Sequence, residues 1–299
     1  MNINLSDIIE FLRQKEIDCS VEGETEGSIA GFASIKEYRP GCITWLKSEQ
    51  ISYDPAQNIA LCVVKKGVPV QAKTKIITEE PKRVFFEILE NFFGKKEKAV
   101  ICDDSIVETE KIGRNVSIGH HCFIGSDVII GDNVTIRNHV QIECPATIGE
   151  GTWIASGVVI GTDGFGYYRD ENGIYQNVPH FGGVTIGRDV VIGANTCIDR
   201  GTMENTFIGD HVKIDNLCHI AHNVRIEENS LVIALSMLGG SSVIRKNGYI
   251  APGVMIKNQI TVGENSLVGM GAVALENVPD NQVVIGVPAE CLRQRNEEE

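Results

Sequence analysis

Ile112-Gly113-Arg114-Asn115-Val116-Ser117-Ile118-Gly119-His120-His121-Cys122-Phe123-Ile124-Gly125 returns to the same isoleucine-glycine pair every six residues. The beat runs in both directions, with isoleucine at 106, 112, 118, 124, 130, 136, 142, 148, 154 and 160. An α-helix repeats its apolar face at three and four residues and a strand at two, so a period of six marks an internal repeat. Each hexad reads as one short strand plus a corner. Three hexads close a triangular coil of eighteen residues with the isoleucines stacked inside, where stiff β-branched side chains pack well on copies of themselves. The recurrent glycine suits a bend repeated at fixed intervals.

The period stops at Gly161. Residues 162 to 183, rich in glycine and aromatics, keep no phase and are expected to form a loop extruded from the prism, where function is usually added to a scaffold. The ladder resumes at Ile186, Ile192 and Ile198, slips by four residues around Met203 and Glu204, and runs on from Ile208 to Val268. About 24 hexads make about eight coils, a prism roughly 40 Å long. Pro279 and Pro288 mark its end, which places the β-helix at 99–278 and a short C-terminal segment at 279–299, with a frayed acidic tail at Glu297, Glu298 and Glu299.

Residues 1–98 lack the period. Ser6 is expected to cap a helix carrying Ile8, Ile9, Phe11 and Leu12. Val63-Val64 and Lys75-Ile76-Ile77 read as strands, and Pro81 opens a second helix with Val84, Phe85, Ile88, Leu89 and Phe92. This pattern predicts a small α/β domain, bounded by Gly94 and the charged run Lys95, Lys96, Glu97, Lys98. Such a domain can cover one end of the prism, and the flat faces invite a homo-oligomer of cyclic symmetry.

With 42% apolar and 22% charged residues the composition is that of a soluble globular protein; no apolar run is long enough to span a membrane and no signal peptide is evident, so a cytoplasmic location is the default. The net charge of −13 argues against a nucleic-acid partner. A local cluster such as Arg245, Lys246 and Lys257 could still hold a phosphate, although a solvated face is the ordinary reading of such charges. Nine cysteines are scattered without a CxxC pair, and Cys122, Cys144, Cys197 and Cys218 occupy hexad positions where a small apolar residue would serve, so they read as reduced structural thiols.

Positions eighteen apart stack wherever the phase is unbroken, as it is from Ile208 onward. His222, two residues after the inward Ile220, is therefore expected to point outward directly below Gly240, with Asn258 one coil further. An imidazole beside a glycine-lined coil suits acyl transfer: histidine takes the proton of an attacking amine, and glycine leaves its N–H open to a carbonyl oxygen becoming negative. A solitary histidine on a solenoid face is otherwise an ordinary surface residue.

The hexad pattern itself resembles the left-handed parallel β-helix of hexapeptide-repeat acyltransferases, whose hand departs from the usual right-handed crossover. Lys213-Ile214-Asp215-Asn216-Leu217-Cys218-His219-Ile220-Ala221-His222-Asn223-Val224 closely resembles the catalytic-histidine segment of the UDP-3-O-(3-hydroxyacyl)glucosamine N-acyltransferases of lipid A biosynthesis. Asp163-Gly164-Phe165-Gly166-Tyr167 and Ile198-Asp199-Arg200-Gly201-Thr202 look like further motifs of that family. Ala33-Ser34-Ile35 with Gly41-Cys42-Ile43-Thr44-Trp45 is similar to its nucleotide-binding domain. The resemblance covers nearly the whole chain. It implies a homotrimer with sites between subunits and no permanently bound cofactor. The acyl group would pass from a thioester on acyl carrier protein to the amino group of a UDP-sugar. His222 would be the general base, Gly240 N–H the oxyanion donor, Asp215 the group orienting the imidazole and Trp45 the platform for uracil. Asp163, Phe165, Tyr167, Asn223 and Gln259 would meet the substrate, and Lys257, Gly286 and Pro288 the phosphopantetheine donor.

Three features depart from the pattern. Ile51, with Tyr53 nearby, stands where the family has a second aromatic for uracil, and Gln259 stands at its second active-site histidine. The ending Gly286-Val287-Pro288-Ala289 resembles coenzyme A-dependent sugar acetyltransferases rather than the helical extension used around the carrier protein. The competing reading is accordingly an acyl-CoA donor and another nucleotide-amino sugar, such as a dTDP-linked one. Two other classes stand beside acyl transfer. A zinc hydratase of the same fold needs three imidazoles converging at about 2.1 Å from one ion. His219 and His222 are expected to diverge, and His120, His121, His139 and His211 offer no clear third, so no metal site is expected. The remaining class is a silent scaffold that binds sugar nucleotides.

Overall fold

A computed structural model describes residues 2–47, 58–94 and 98–294. Ile51, Tyr53, Lys95, Lys96, Glu97 and the glutamates at 297–299 lie outside the described residues. The chain divides into two compact units, Met1–Glu97 and Lys98–Glu299.

The first unit is a five-stranded sheet with a helix at Leu5–Gln14 and another at Pro81–Phe93. Ile59–Val64 pairs in parallel with Cys42–Leu46 and Ala72–Ile77; Ile59–Val64 and Ala72–Ile77 extend the strands expected at 63–64 and 75–77, and Ser20–Gly23 closes one edge antiparallel. Ile8, Leu12, Ile43, Leu61, Val63, Ile76, Val84 and Ile88 form the core between sheet and helices. Pro81 opens the second helix, where its missing N–H costs nothing. Ser6 does not cap the first. That helix begins at Leu5, whose side chain is buried, with Asn4 at its head, so Ser6 falls inside the first turn.

The second unit is mainly β, a left-handed parallel β-helix of three sheets. Successive rungs pair in parallel, residue on residue eighteen apart, as in Ile124 with Ile142 and Ile142 with Ile160. Ile118, Ile124, Ile142, Ile154, Ile160, Ile192, Ile198, Ile208, Ile220 and Ile226 are each 0% exposed, so the repeated isoleucine is the core itself. At the corners, the third residue after the inward position takes a left-handed conformation, at His121, Asn133, His139, Asn195, Asn223 and Gln259 among others. Asparagine tolerates that region better than most side chains, so the corner is polar for a steric reason as well as for solvation.

The structure changes the ladder at both ends. Ile106 is 61% exposed, and the residue that stacks under Ile124 is Val107. The six-residue match at 106 is thus a coincidence of spacing, since the first coil is one residue shorter. At the other end the solenoid continues past 278. Val283 and Val284 are buried, Val284 stacks on Val268, and Glu290–Gln294 folds back antiparallel on Gln282–Ile285. Residues 162–183 leave the prism as a small hairpin of Tyr167–Arg169 and Tyr175–Asn177, after which Val184–Ile186 rejoins directly over Ala146–Ile148. The slip near Met203 stretches one coil by four residues, so Cys197 stacks under His219.

No cysteine of the chain is in a disulfide. Burial pushes the Cys144 thiol up to about 11 and the Cys62 thiol up to about 12, which keeps both as inert packing groups.

Candidate active site

The ladder interruptions and the unbroken coils meet at one cleft. His219 stands outward on the strand His219–Ile220, and His222 follows past the buried Ala221. Gly240 lies one coil on, and Asn258 and Gln259 border the cleft from the next. Phe165 overhangs it from the extruded loop, and Asp199 lies at its floor.

The expected stack of Gly240 on His222 is present. A Cβ built on Gly240 would come 2.7 Å from His222 Nε2 and 2.8 Å from its Cε1, so the imidazole takes the space a side chain would need. Glycine is required there by that approach rather than by backbone angle. His222 Nε2 thus faces the cleft beside the Gly240 backbone, whose carbonyl accepts from Gln259 N–H while its own N–H donates to no group among the described residues. Gly164 closes on the other side of the ring, where a Cβ would meet His222 Cβ and Cδ2 at 2.7 Å and His180 Nε2 at 2.9 Å.

Two groups that the spacing did not single out surround the histidines, Asp199 in the cleft lining and His180 behind it. Asp199 is 6% exposed; its Oδ2 lies 3.7 Å from His219 Nε2, and its Oδ1 accepts from Thr162 Oγ1 at 3.4 Å. Burial raises the Asp199 carboxyl above its ordinary range, against the pull of His219, Thr162, His222 and His180. His180, also 6% exposed, sits with its ring centroid 5.4 Å from that of His222, edge to face. Burial lowers the His222 imidazole below the ordinary 6.5, helped by His180 and His219 and opposed by Asp199. A shift in that direction favours the neutral imidazole, the form that can accept a proton.

The other expected residues fall unevenly. Asp215 does not line the cleft; its Oδ1 accepts from Asn216 N–H and Nδ2 at 2.7 and 2.9 Å, a local turn, and Asp199 is the carboxylate beside the histidines instead. His219 and His222 do not diverge: both line the same cleft, ahead of the left-handed corner at Asn223. Asn223 spends its amide on Thr202, accepting from its N–H and donating to its Oγ1, both at 2.7 Å, so it pins the slipped coil instead of facing a ligand. Phe165 is 87% exposed and stacks edge-on with Tyr167, which stands outside the cleft on the hairpin. Asp163 and Lys257 are exposed and line no part of it; nor do Gly286 and Pro288, which flank the turn after the last rung. Trp45, in the first unit, is half-buried with its ring 6.3 Å from that of Phe85. Asp199 was within reach of sequence reasoning, since it lies in the quoted Ile198–Thr202 motif; His180 was not, because nothing periodic connects 180 to 222.

Residues 111–144 match the family model of the bacterial transferase hexapeptide, six repeats. Among solved structures, the UDP-N-acetylglucosamine acyltransferase from Campylobacter jejuni superposes with a TM-score of 0.58 over 65% of this chain and 75% of that one. At 21% identity, this likeness speaks for the fold. A UDP-3-O-acylglucosamine N-acyltransferase of Bordetella avium is 44% identical over 39% of this chain, a stretch that spans only 33% of the relative's length. The enzyme of that name from Pseudomonas savastanoi is 34% identical over 81% of this chain and 73% of its own. Identity sustained over that length exceeds what a shared repeat explains, and the chain belongs to the family of UDP-3-O-acylglucosamine N-acyltransferases.

Proposed function

We propose that the chain is an N-acyltransferase that moves an acyl group from a thioester to the amino group of a nucleotide-activated amino sugar, of the kind used for lipid A. The observation that carries this reading is His222 Nε2 packed against the Gly240 backbone at an open cleft. The amine nitrogen attacks the thioester carbonyl as His222 Nε2 accepts its proton. The carbonyl oxygen gathers negative charge toward Gly240 N–H, and the C–S bond then breaks, with the proton passing to the departing thiolate. No enzyme nucleophile is needed, and proximity of the two substrates supplies much of the rate.

The donor is a phosphopantetheine thioester, on acyl carrier protein or on coenzyme A, and the working form is a cytoplasmic homotrimer. Among the described residues, no helix is long and apolar enough to cross a membrane. Gln259 at the cleft supports a second reading in which the donor is acyl-CoA and the acceptor a different nucleotide-amino sugar, because a carboxamide replaces the titratable group expected there.

A turnover panel tests both. UDP- and dTDP-amino sugars are crossed with short acyl-CoA and 3-hydroxyacyl carrier protein, alongside thermal shifts, since a ligand that binds only the native state raises its stability with occupancy. Transfer from the carrier protein to a UDP-amino sugar supports the first reading, and transfer from acyl-CoA to a dTDP-amino sugar the second. Binding of nucleotide sugars without acylation of any amine overturns both.

A further inference from the structure

His222 can act as a base at Nε2 only if its neutral form carries the proton at Nδ1. That Nδ1 is buried and has no hydrogen-bond partner among the described residues. The neighbouring ring is that of His180, its centroid 5.4 Å away, whose Nδ1 lies 2.8 Å from the Val178 carbonyl oxygen. A carbonyl only accepts, so the neutral form of His180 carries its proton at Nδ1 and leaves a lone pair on Nε2; that atom too is buried and has no partner among the described residues. The two unsatisfied nitrogens belong to neighbouring rings; one needs an acceptor and the other offers a lone pair. A buried donor without an acceptor is costly, so the pairing favours one tautomer of His222.

We propose that His180 is a positioning residue: its Nε2 accepts from His222 Nδ1–H, after a small ring rotation or through one water, and so holds the lone pair of His222 Nε2 toward the cleft. The placement of His180 is itself built by the two ladder interruptions. Phe181 N–H donates to the Thr202 carbonyl at 2.7 Å, and Arg200 Nε to the Gly182 carbonyl at 2.8 Å, which ties the end of the extruded loop to the slipped coil. Asp199 and His219 are the other titratable groups facing His222, and their carboxylate and imidazole are turned to each other at 3.7 Å.

This inference rests on the acyl-transfer reading, and its test separates the two. In His180→Leu, which keeps bulk but removes the acceptor, kcat is expected to fall by about tenfold to a hundredfold with KM little changed. His180→Gln, whose carboxamide oxygen can accept, is expected to recover most of it. Nitrogen-15 NMR of histidine-labelled protein reads the tautomer without any substrate: His222 is expected protonated at Nδ1 in the native protein and shifted toward the Nε2 tautomer in His180→Leu. Equal loss in both variants, or an unchanged tautomer in His180→Leu, overturns the positioning role. The expected NMR result with no acyl transfer by the native protein would leave the pair standing and sink only the function.

A separate cluster at the first coils carries a second inference. Cys102 and His120 are one coil apart, with Sγ 3.6 Å from Nε2. The other ring nitrogen faces Asp104, 3.0 Å from each carboxylate oxygen, and His121 Nδ1 lies 3.5 Å from the same carboxylate. Zinc bonds of about 2.3 Å to sulfur and about 2.1 Å to nitrogen at a tetrahedral angle separate those two atoms by about 3.6 Å. The observed spacing meets that without rearrangement, and an imidazole backed by a carboxylate is how zinc ligands are commonly oriented. The geometry points to a site for a zinc-class divalent cation held by Cys102 and His120, with Asp104 orienting or joining them. It would staple the coil where Ile101 and Ile106 are 45% and 61% exposed and stacking is weakest.

Cobalt(II) is the probe. Its addition to the whole protein is expected to give a thiolate-to-metal absorption band and a rise in Tm, both retained in His222→Ala and both lost in Cys102→Ser and His120→Ala. The same measurement with zinc should show one ion per chain by elemental analysis. No band with the native protein, or a band that survives Cys102→Ser, overturns the site.

Discussion

The coils from Ile208 to Val268 and the interrupted stretch from Gly161 to Phe207 are built from the same repeat and do different work. In the first, one count of eighteen predicts every neighbour, and it placed Gly240 on His222 without any other information. In the second, the count fails, and the groups it failed to place are Asp199 and His180, which crowd the same imidazole. A periodic scaffold sets where a side chain stands; the breaks in it set what surrounds that side chain.

Substitutions in the two regions are expected to behave differently. Within the scaffold, Ile130→Ala is expected to lower unfolding stability by about 2–5 kcal/mol, because an inward rung leaves a cavity. Ile106→Ala, on an outward position despite its matching phase, should change it by less than about 0.5 kcal/mol. Denaturant titration of both checks the revised first coil, and equal losses would restore Ile106 to the column.

At the cleft, His222→Ala should cut kcat by about a hundredfold or more while leaving the fold intact. Near-native turnover with unchanged circular dichroism would remove the acyl-transfer assignment. Gly240→Ala pushes a methyl toward His222 Nε2 and should cost about tenfold to a hundredfold in kcat, about 1.4–2.7 kcal/mol of transition-state stabilisation. Turnover equal to the native enzyme would show that the imidazole moves aside freely.

The pH profile sharpens the role of the interrupted stretch. Because burial and the neighbouring imidazoles lower His222, the acid limb of kcat/KM should lie below pH 6.5. Asp199 works in the opposite direction, raising His222, so Asp199→Asn should move that limb to lower pH still, with a loss of several-fold at neutrality. A limb that moves upward would mean that Asp199 does not act on His222 through its charge. Asn223→Ala should have the smallest effect on turnover, less than about tenfold, with stability lower by about 1–2 kcal/mol from two lost hydrogen bonds to Thr202. Thermal unfolding beside kcat separates this pinning role from direct contact with substrate.

Much of the molecule was legible because hexads report their own geometry. Period and β-branching specify an inward column, and the column specifies vertical neighbours. The reading failed where two residues have similar spacing but different strain or company. Ile106 keeps the interval and not the burial; Asp215 lies seven residues before His222 but is taken up by Asn216. His219 and His222, expected to diverge, both precede the corner at Asn223 and border one cleft.

By itself, then, the sequence determined the solenoid, its coil length, its two interruptions and the pairing of His222 with Gly240, since all of these follow from local repetition. Only the tertiary structure decided that Asp199, rather than Asp215, accompanies the histidines, that Asn223 serves the scaffold, and that His180 stands behind His222. Contacts made by a loop that leaves the repeat depend on where its ends are tied, by Phe181 to Thr202 and by Arg200 to Gly182, and no period encodes that closure.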